Sequence, residues 1–247
     1  MNTQAALCAV VQQLGRPDFQ HQALAALQPV LRAGSWSVYS LRPQQRPALH
    51  LSATWQGADH TQACFQAYAQ GLYLRDNSFD PVRRLPAQPL VSSMRAEAAP
   101  TPEHRDAVYR AHGILERLSV AAVQPDGSLL AVNLYHHDHQ GPFQAAERQA
   151  FTAMAPLLHS LVCKHLELAA GPADARAALL AAAPALTARE LDVCERLLRG
   201  WSHDGIASDL GLSLATVKTY RSRAFARLGL HFRSELFARF GVAARGH

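Results

Sequence analysis

Hydrophobic positions recur along this chain with two different periods, and the switches between them mark out its elements. Helical spacing opens the chain over about Thr3–Leu14 and Asp18–Arg32. Strict alternation follows in Ser35-Trp-Ser-Val-Tyr-Ser-Leu41, whose aromatic and β-branched residues predict a strand. Pro43 to Pro47 predict a turn, and Ala48–Thr54 the returning strand. A helix is predicted from Asp59 to about Leu74, closed by a loop from Arg75 to Pro81, and another near Glu103–His112 after a proline-punctuated connection. Leu118–Gln124 and Leu129–Tyr135 flank Pro125-Asp-Gly-Ser128 and read as a hairpin. The helical period returns from about Pro142 to Leu168, where Phe151, Met154, Leu158, Leu161, Val162 and Leu166 form one stripe.

Helices, four or more strands and a long closing helix predict an α+β sandwich of the PAS or GAF type over residues 1–170. Residues 171–185 hold eight alanines, a glycine and two prolines, which predicts a linker with some helical character. From 186 to 247 the pattern is all-α, with four short helices. Thr187-Ala-Arg-Glu190 is a capping box, in which each side chain satisfies a backbone amide near the other residue. Leu191, Cys194 and Leu198 continue that helix on one face and Gly200 stops it. A second helix runs over about Ser202–Leu210, and Gly211 permits the turn into a third, capped by Ser213.

Composition sharpens this division. The chain has 247 residues, long for one compact domain and comfortable for two. Its net charge of +5 is uneven: ten Lys/Arg face six Asp/Glu from Leu186 onward, against fourteen and thirteen before it. A locally positive balance is the footprint of phosphate binding. The four cysteines are scattered among apolar neighbours, as expected of buried thiols. The chain shows neither a secretory leader nor an apolar run long enough to span a bilayer, so a cytoplasmic location without membrane contact is expected.

The third C-terminal helix carries Lys218, Arg221, Arg223 and Arg227 and no acid. Val217, Ala224 and Leu228 share one narrow sector, which must be the buried one. Lys218, Thr219, Ser222 and Arg223 lie opposite, flanked by small Ala215 and Ala226. Such a face fits a major groove about 12 Å wide. Thr216, Lys218, Thr219, Arg221, Ser222 and Arg223 are the candidate DNA contacts, with Arg221, near the buried sector, suited to a phosphate or an intramolecular acid.

Leu186-Thr-Ala-Arg-Glu190, Gly200-Trp-Ser202, Ile206-Ala207, Leu210-Gly-Leu-Ser213, Thr216-Val-Lys218 and Leu228-Gly229 resemble the helix-turn-helix signature of the LuxR/FixJ family. The resemblance implies a four-helix DNA-binding domain whose third helix reads the major groove and whose last helix dimerises, here through Leu236, Phe237 and Phe240. Gly205, Tyr220 and Arg227 depart from the residues usual in that family. In the N-terminal part, Tyr68, Tyr73 and Asp80-Pro81-Val82 resemble the ligand site of autoinducer-binding members, which implies a ligand amide at the aspartate. Ala67, Gly71 and Arg95 stand where aromatics are expected. Asp80 also reads as a turn residue before proline. Trp36, Tyr39 and Trp55 are candidates either for a pocket wall or for core.

His136-His-Asp-His139 offers zinc-binding groups, yet successive residues after a strand point apart, so a solvated loop is expected and no metal. No cofactor or catalytic constellation is predicted, since phosphate-loop, nucleophile-elbow and His-Glu-x-x-His motifs are all lacking. The sequence therefore predicts a homodimeric regulator of transcription, not an enzyme, that binds double-stranded DNA and senses a small molecule or a protein. A ligand-free dimerisation module, or a metal-dependent hydrolase with a DNA anchor, are the alternatives.

Overall fold

The computed structural model describes residues 2–85, 88–169 and 172–240. The chain divides after Leu166 into two compact units. The first contains β1 (Ser35–Leu41), β2 (Ala48–Thr54), β3 (Leu90–Arg95), β4 (Ile114–Val123) and β5 (Leu129–His137). They form an antiparallel sheet in the order β2-β1-β5-β4-β3. Its helices are α1 (Thr3–Val11), α2 (Phe19–Leu31), α3 (Thr61–Ala69), α4 (Asp80–Arg84), α5 (Pro102–His104) and α6 (Ala145–Ala169), which continues past the division.

Alternation along the strands sorts side chains to two faces. Trp36, Val38, Leu118, Val120, Val132 and Leu134 project to one face and pack with Leu24, Leu27 and Leu31 of α2 and Phe151, Met154 and Leu158 of α6. Each such fully buried side chain contributes about 1.5–3 kcal/mol. The Trp36 indole N–H donates to the Gln20 carbonyl at 2.9 Å, so this core leaves it satisfied. Buried carboxylates fasten the start of α6: Glu147 accepts from Arg32 and from the Gln144 amide, and Glu116 accepts from Arg148 and from the Phe143 amide.

The other face is covered by α3, α4 and the irregular turns from Pro102 to His112. The helices on both sides make the unit an α–β–α sandwich. The sheet surface here is polar at its centre. Ser119 donates to Asn133 across the strands at 2.8 Å, and Ser37 and Tyr135 hydroxyls share a hydrogen bond of 2.8 Å.

Three local expectations change. The Asp59–Leu74 helix ends at Ala69, because Gly71 takes φ +135° and a separate 3₁₀ turn follows over Leu72–Arg75. The Glu103–His112 segment is one short α turn followed by wider and then tighter turns, not a regular helix. β3 has no counterpart in the sequence reading. It pairs with β4 alone and is only partly buried, so its Leu90-Val-Ser-Ser-Met-Arg95 run lacks the contrast that marked β1.

The second unit contains α7 (Pro172–Ala182), α8 (Ala188–Leu198), α9 (His203–Leu210), α10 (Leu214–Leu228) and α11 (Arg233–Phe240). Its core joins Leu191, Val193, Cys194, Leu197, Ile206, Val217, Ala224, Phe225, Leu228 and Leu236. The four short helices expected from 186 onward are α8 to α11, and within the segment read as a linker with some helical character α7 is a helix whose Leu179 is fully buried in that core; Gly171 lies outside the described residues. Alanine content made helix permissible, but one leucine decides the docking. Hydroxyl caps start the next three helices: the Thr187, Ser202 and Ser213 side chains accept from the amides of Glu190, Gly205 and Thr216. Gly211, at φ +63°, makes the left-handed turn between α9 and α10, where the Leu212 amide returns to the Ala207 carbonyl at 2.9 Å.

Candidate functional site

The caps and the Gly211 turn fix α10 against α8 and α9 through Val217, Ala224, Phe225 and Leu228, all buried. Lys218, Thr219, Ser222 and Arg223 are exposed together with Ala215 and Ala226. The Thr219 hydroxyl donates to the Ala215 carbonyl at 2.9 Å, and the Thr216 and Ser213 hydroxyls lie 2.7 Å apart, so both threonines also serve the helix itself.

The four cations of α10 do different work. Arg227 donates to the Ala185 carbonyl at 2.7 Å and to the Glu190 carboxylate. Glu190 is almost fully buried and accepts the Thr187 amide at 2.8 Å, so Arg227 closes the α8 cap. Arg221 lies over the Phe225 ring at 5.5 Å with its Nε buried and without a partner among the described residues. His203 at the start of α9 is held below its usual pKa by burial and by Arg221, Arg233 and Lys218, which keeps it neutral at pH 7. Lys218 and Arg223 are the two cations whose side chains stand clear in solvent. Of the residues expected on the last helix as a dimer face, Leu236 and Phe240 are committed to the unit's own core, and Phe237 lies under the Arg233 guanidinium at 5.4 Å.

The first unit holds a cavity of about 300 Å³ between the polar sheet face and its cover. Tyr39 and Tyr68, with rings 5.6 Å apart, line it together with Phe65 and Tyr109. Trp55, partly exposed, stands at its edge, whereas Trp36 lies in the apolar core on the opposite face of the sheet. That is a correction for Trp36: in an alternating strand, residues 36 and 39 cannot share a face. Tyr73 packs edge-on against Tyr68 but does not line the cavity. Asp80 begins α4, pairs with Arg83 at 3.6 Å and stands outside the lining. The buried acid is instead Asp76, which accepts the Tyr68 hydroxyl and the Ser78 amide, each at 2.9 Å.

Arg117 was absent from the sequence-derived candidates. It projects from β4 beside Tyr135, is almost fully buried, lies over Phe79 at 5.0 Å and donates to the Ser78 hydroxyl at 3.0 Å. Burial alone would lower its pKa, but Tyr109, Tyr39 and Asp76 outweigh that and keep it charged. Arg117 in turn helps hold the Asp76 carboxyl below its ordinary value, against burial, which raises it. A cation in the middle of an alternating strand was the signal, since Glu116-Arg117 interrupts an otherwise apolar run.

The histidine loop is a second correction. β5 continues through His137, and His136 is buried, with its ring nitrogens 3.0 and 3.2 Å from the Gly141 and Leu31 carbonyls and its ring stacked on Phe143. His137 points to the other face and meets the Ser35 hydroxyl at 2.8 Å. Strand alternation thus sends the two imidazoles apart, and among the described residues no metal-holding group of three ligands forms. Nor is any described helix long and apolar enough to cross a membrane.

Residues 184–240 match the profile described as bacterial regulatory proteins, luxR family. A putative HTH-type transcriptional regulator in the exeN 3' region of Aeromonas salmonicida is 30% identical over 154 residues, which cover 56% of this chain and 79% of that protein. Among solved structures, the VqsR LBD domain from Pseudomonas aeruginosa is 17% identical, with a TM-score of 0.49 over 67% of this chain and 96% of that one. Escherichia coli SdiA is 13% identical, with a TM-score of 0.45 over 97% of this chain and 96% of its own.

Proposed function

The chain belongs to the luxR family of bacterial regulatory proteins, and from that premise we propose that α10 is its DNA-reading helix and the cavity of the first unit its sensor site. It is a helix-turn-helix regulator of transcription. The observation that carries the DNA assignment is the exposed Lys218–Thr219–Ser222–Arg223 face on a helix whose other side is locked by Val217, Ala224 and Leu228. Lys218 and Arg223 supply base-edge and phosphate contacts, Thr216, Thr219 and Ser222 short polar ones, and Arg221 a phosphate contact.

An open cavity with aromatic walls favours a small-molecule sensor over a solid dimerisation module. The same reading makes the protein a cytoplasmic homodimer that reads paired half-sites and catalyses nothing. Lys218→Ala and Arg223→Ala, tested on a site selected from random duplexes, are each expected to weaken binding about tenfold. The slope of affinity against salt should also fall by about one for the side chain that holds a phosphate. Parent-like binding by both variants at physiological salt would remove α10 from the groove.

A further inference from the structure

The cavity carries a chemical preference, because its lining holds a standing cation and no acid. Arg117 and five histidines line it, and among the described residues no aspartate or glutamate does. We propose that the first unit binds a small carboxylic acid with a flat apolar body, its carboxylate held by Arg117 and its body enclosed by Tyr39, Phe65, Tyr68 and Tyr109. This inference rests on the reading of the cavity as a sensor site and names the class of molecule sensed.

Unpartnered polar atoms give the first support. Nη2 of Arg117 is taken by Ser78, but its Nε is buried and meets no acceptor among the described residues. An unmet buried donor is costly, more so when charged, and folded proteins leave few. His104, also in the lining and 2% exposed, has its Nδ1 in the same condition. Two orphaned groups on one cavity point to an occupant that supplies their partners.

Charge and shape give the second. Asp76 balances the Arg117 charge without a direct hydrogen bond to it, because its oxygens are turned to the Tyr68 hydroxyl and the Ser78 amide. Beyond the Ser78 bond at Nη2, the Arg117 guanidinium is left short of acceptors, and a carboxylate matches that need best. Tyr39, Phe65 and Tyr68 pack against one another with ring centroids 5.6–6.4 Å apart and so form a continuous aromatic wall, which suits a flat apolar body. A volume of about 300 Å³ is at the small end for a ligand pocket.

The test uses the full chain and five probes: 2-naphthoate, trans-cinnamate, the primary amide of each, and octanamide as a neutral acyl compound. Titration calorimetry at pH 7.5 is expected to show both acids binding at least about tenfold more tightly than their amides, the worth of one charge-assisted hydrogen bond. Arg117→Met should erase that preference while leaving amide affinity in place. Equal affinity for acid and amide, or a preference that survives in Arg117→Met, overturns the carboxylate assignment. Binding by octanamide alone overturns it too, yet leaves the sensor reading standing. Binding by none of the five counts against both. If Arg117→Met does not fold, the acid–amide comparison on the unaltered chain decides.

Discussion

The two faces of the sheet in the first unit are made from the same strands yet built by opposite rules. One face is filled with Trp36, Val38, Val120, Val132 and Leu134, all buried against α2 and α6. The other carries Ser37, Ser119, Asn133, Tyr135 and Arg117, of which Ser37, Tyr135 and Arg117 line a cavity. The first face stabilises the fold by apolar packing; the second is buried too, but gives up apolar packing for polar groups. α10 repeats the division on a single helix, with Val217, Ala224 and Leu228 inward and Lys218 and Arg223 outward. Where polarity is retained at a position that folding alone would fill with carbon, function is the explanation to test.

The largest effect should come from the filled face. Trp36→Ala removes a fully buried indole and is expected to cost about 3–5 kcal/mol in urea denaturation. A loss under about 1 kcal/mol would show that Trp36 does not hold the core, and would reopen its assignment to a pocket.

Next in size is Asp76→Asn on the cavity face. Burial opposes the Asp76 charge, but Arg117 and the Ser78 hydrogen bonds prevail and depress its pKa below 3.8. A carboxyl depressed by folding contributes stability above its ordinary value and loses it as pH falls through the folded one. Replacing it should therefore cost about 2–3 kcal/mol at pH 7, the worth of hydrogen bonds to a buried charge. The gap between variant and parent should then narrow as pH drops below 3.8. A gap that stays constant down to about pH 3 would show that the charge on Asp76 is not what steadies Arg117.

On α10 the comparison can be drawn between two arginines. Arg227→Ala leaves the buried Glu190 without its cation and is expected to cost about 1–2 kcal/mol, limited by the exposure of Arg227. Arg223→Ala should change stability by less than about 0.5 kcal/mol while weakening DNA binding. If the two variants behave alike in both assays, the split between an anchoring and a reading arginine fails.

How much of this was legible follows from what alternation can and cannot say. β1 and β2 were found with their observed bounds, because Ser35–Leu41 contrasts strongly from one residue to the next. Alternation places Trp36 and Tyr39 on opposite faces, although both stand among the candidates for one pocket wall or for core; which side would be solid depends on helices distant in sequence. The caps of α8 and α10 were readable because their hydrogen bonds span three residues. Asp80 drew attention because Asp80-Pro81-Val82 resembles the ligand site of autoinducer-binding members, whereas Asp76 became the buried acid through Tyr68 and Arg117, partners set by the fold. Arg117 fell just outside the strand read from Leu118 to Gln124, whereas β4 begins at Ile114, and only the cavity made it a candidate.

The smallest effect gives the finest comparison, because it uses adjacent residues of β1. Val38 is fully buried on the filled face, and Ser37 is nearly as buried on the cavity face. Val38→Ala deletes two methyl groups from a packed core and should cost about 2 kcal/mol. Ser37→Ala removes only the hydroxyl 2.8 Å from that of Tyr135, which can turn toward the cavity, so the cost should be about 0.5–1 kcal/mol. Equal burial with unequal cost is the signature of a face whose neighbours are not all protein. If Ser37→Ala proved as damaging as Val38→Ala, the cavity face would be part of the structural core, and its polar row would belong to folding rather than to a ligand.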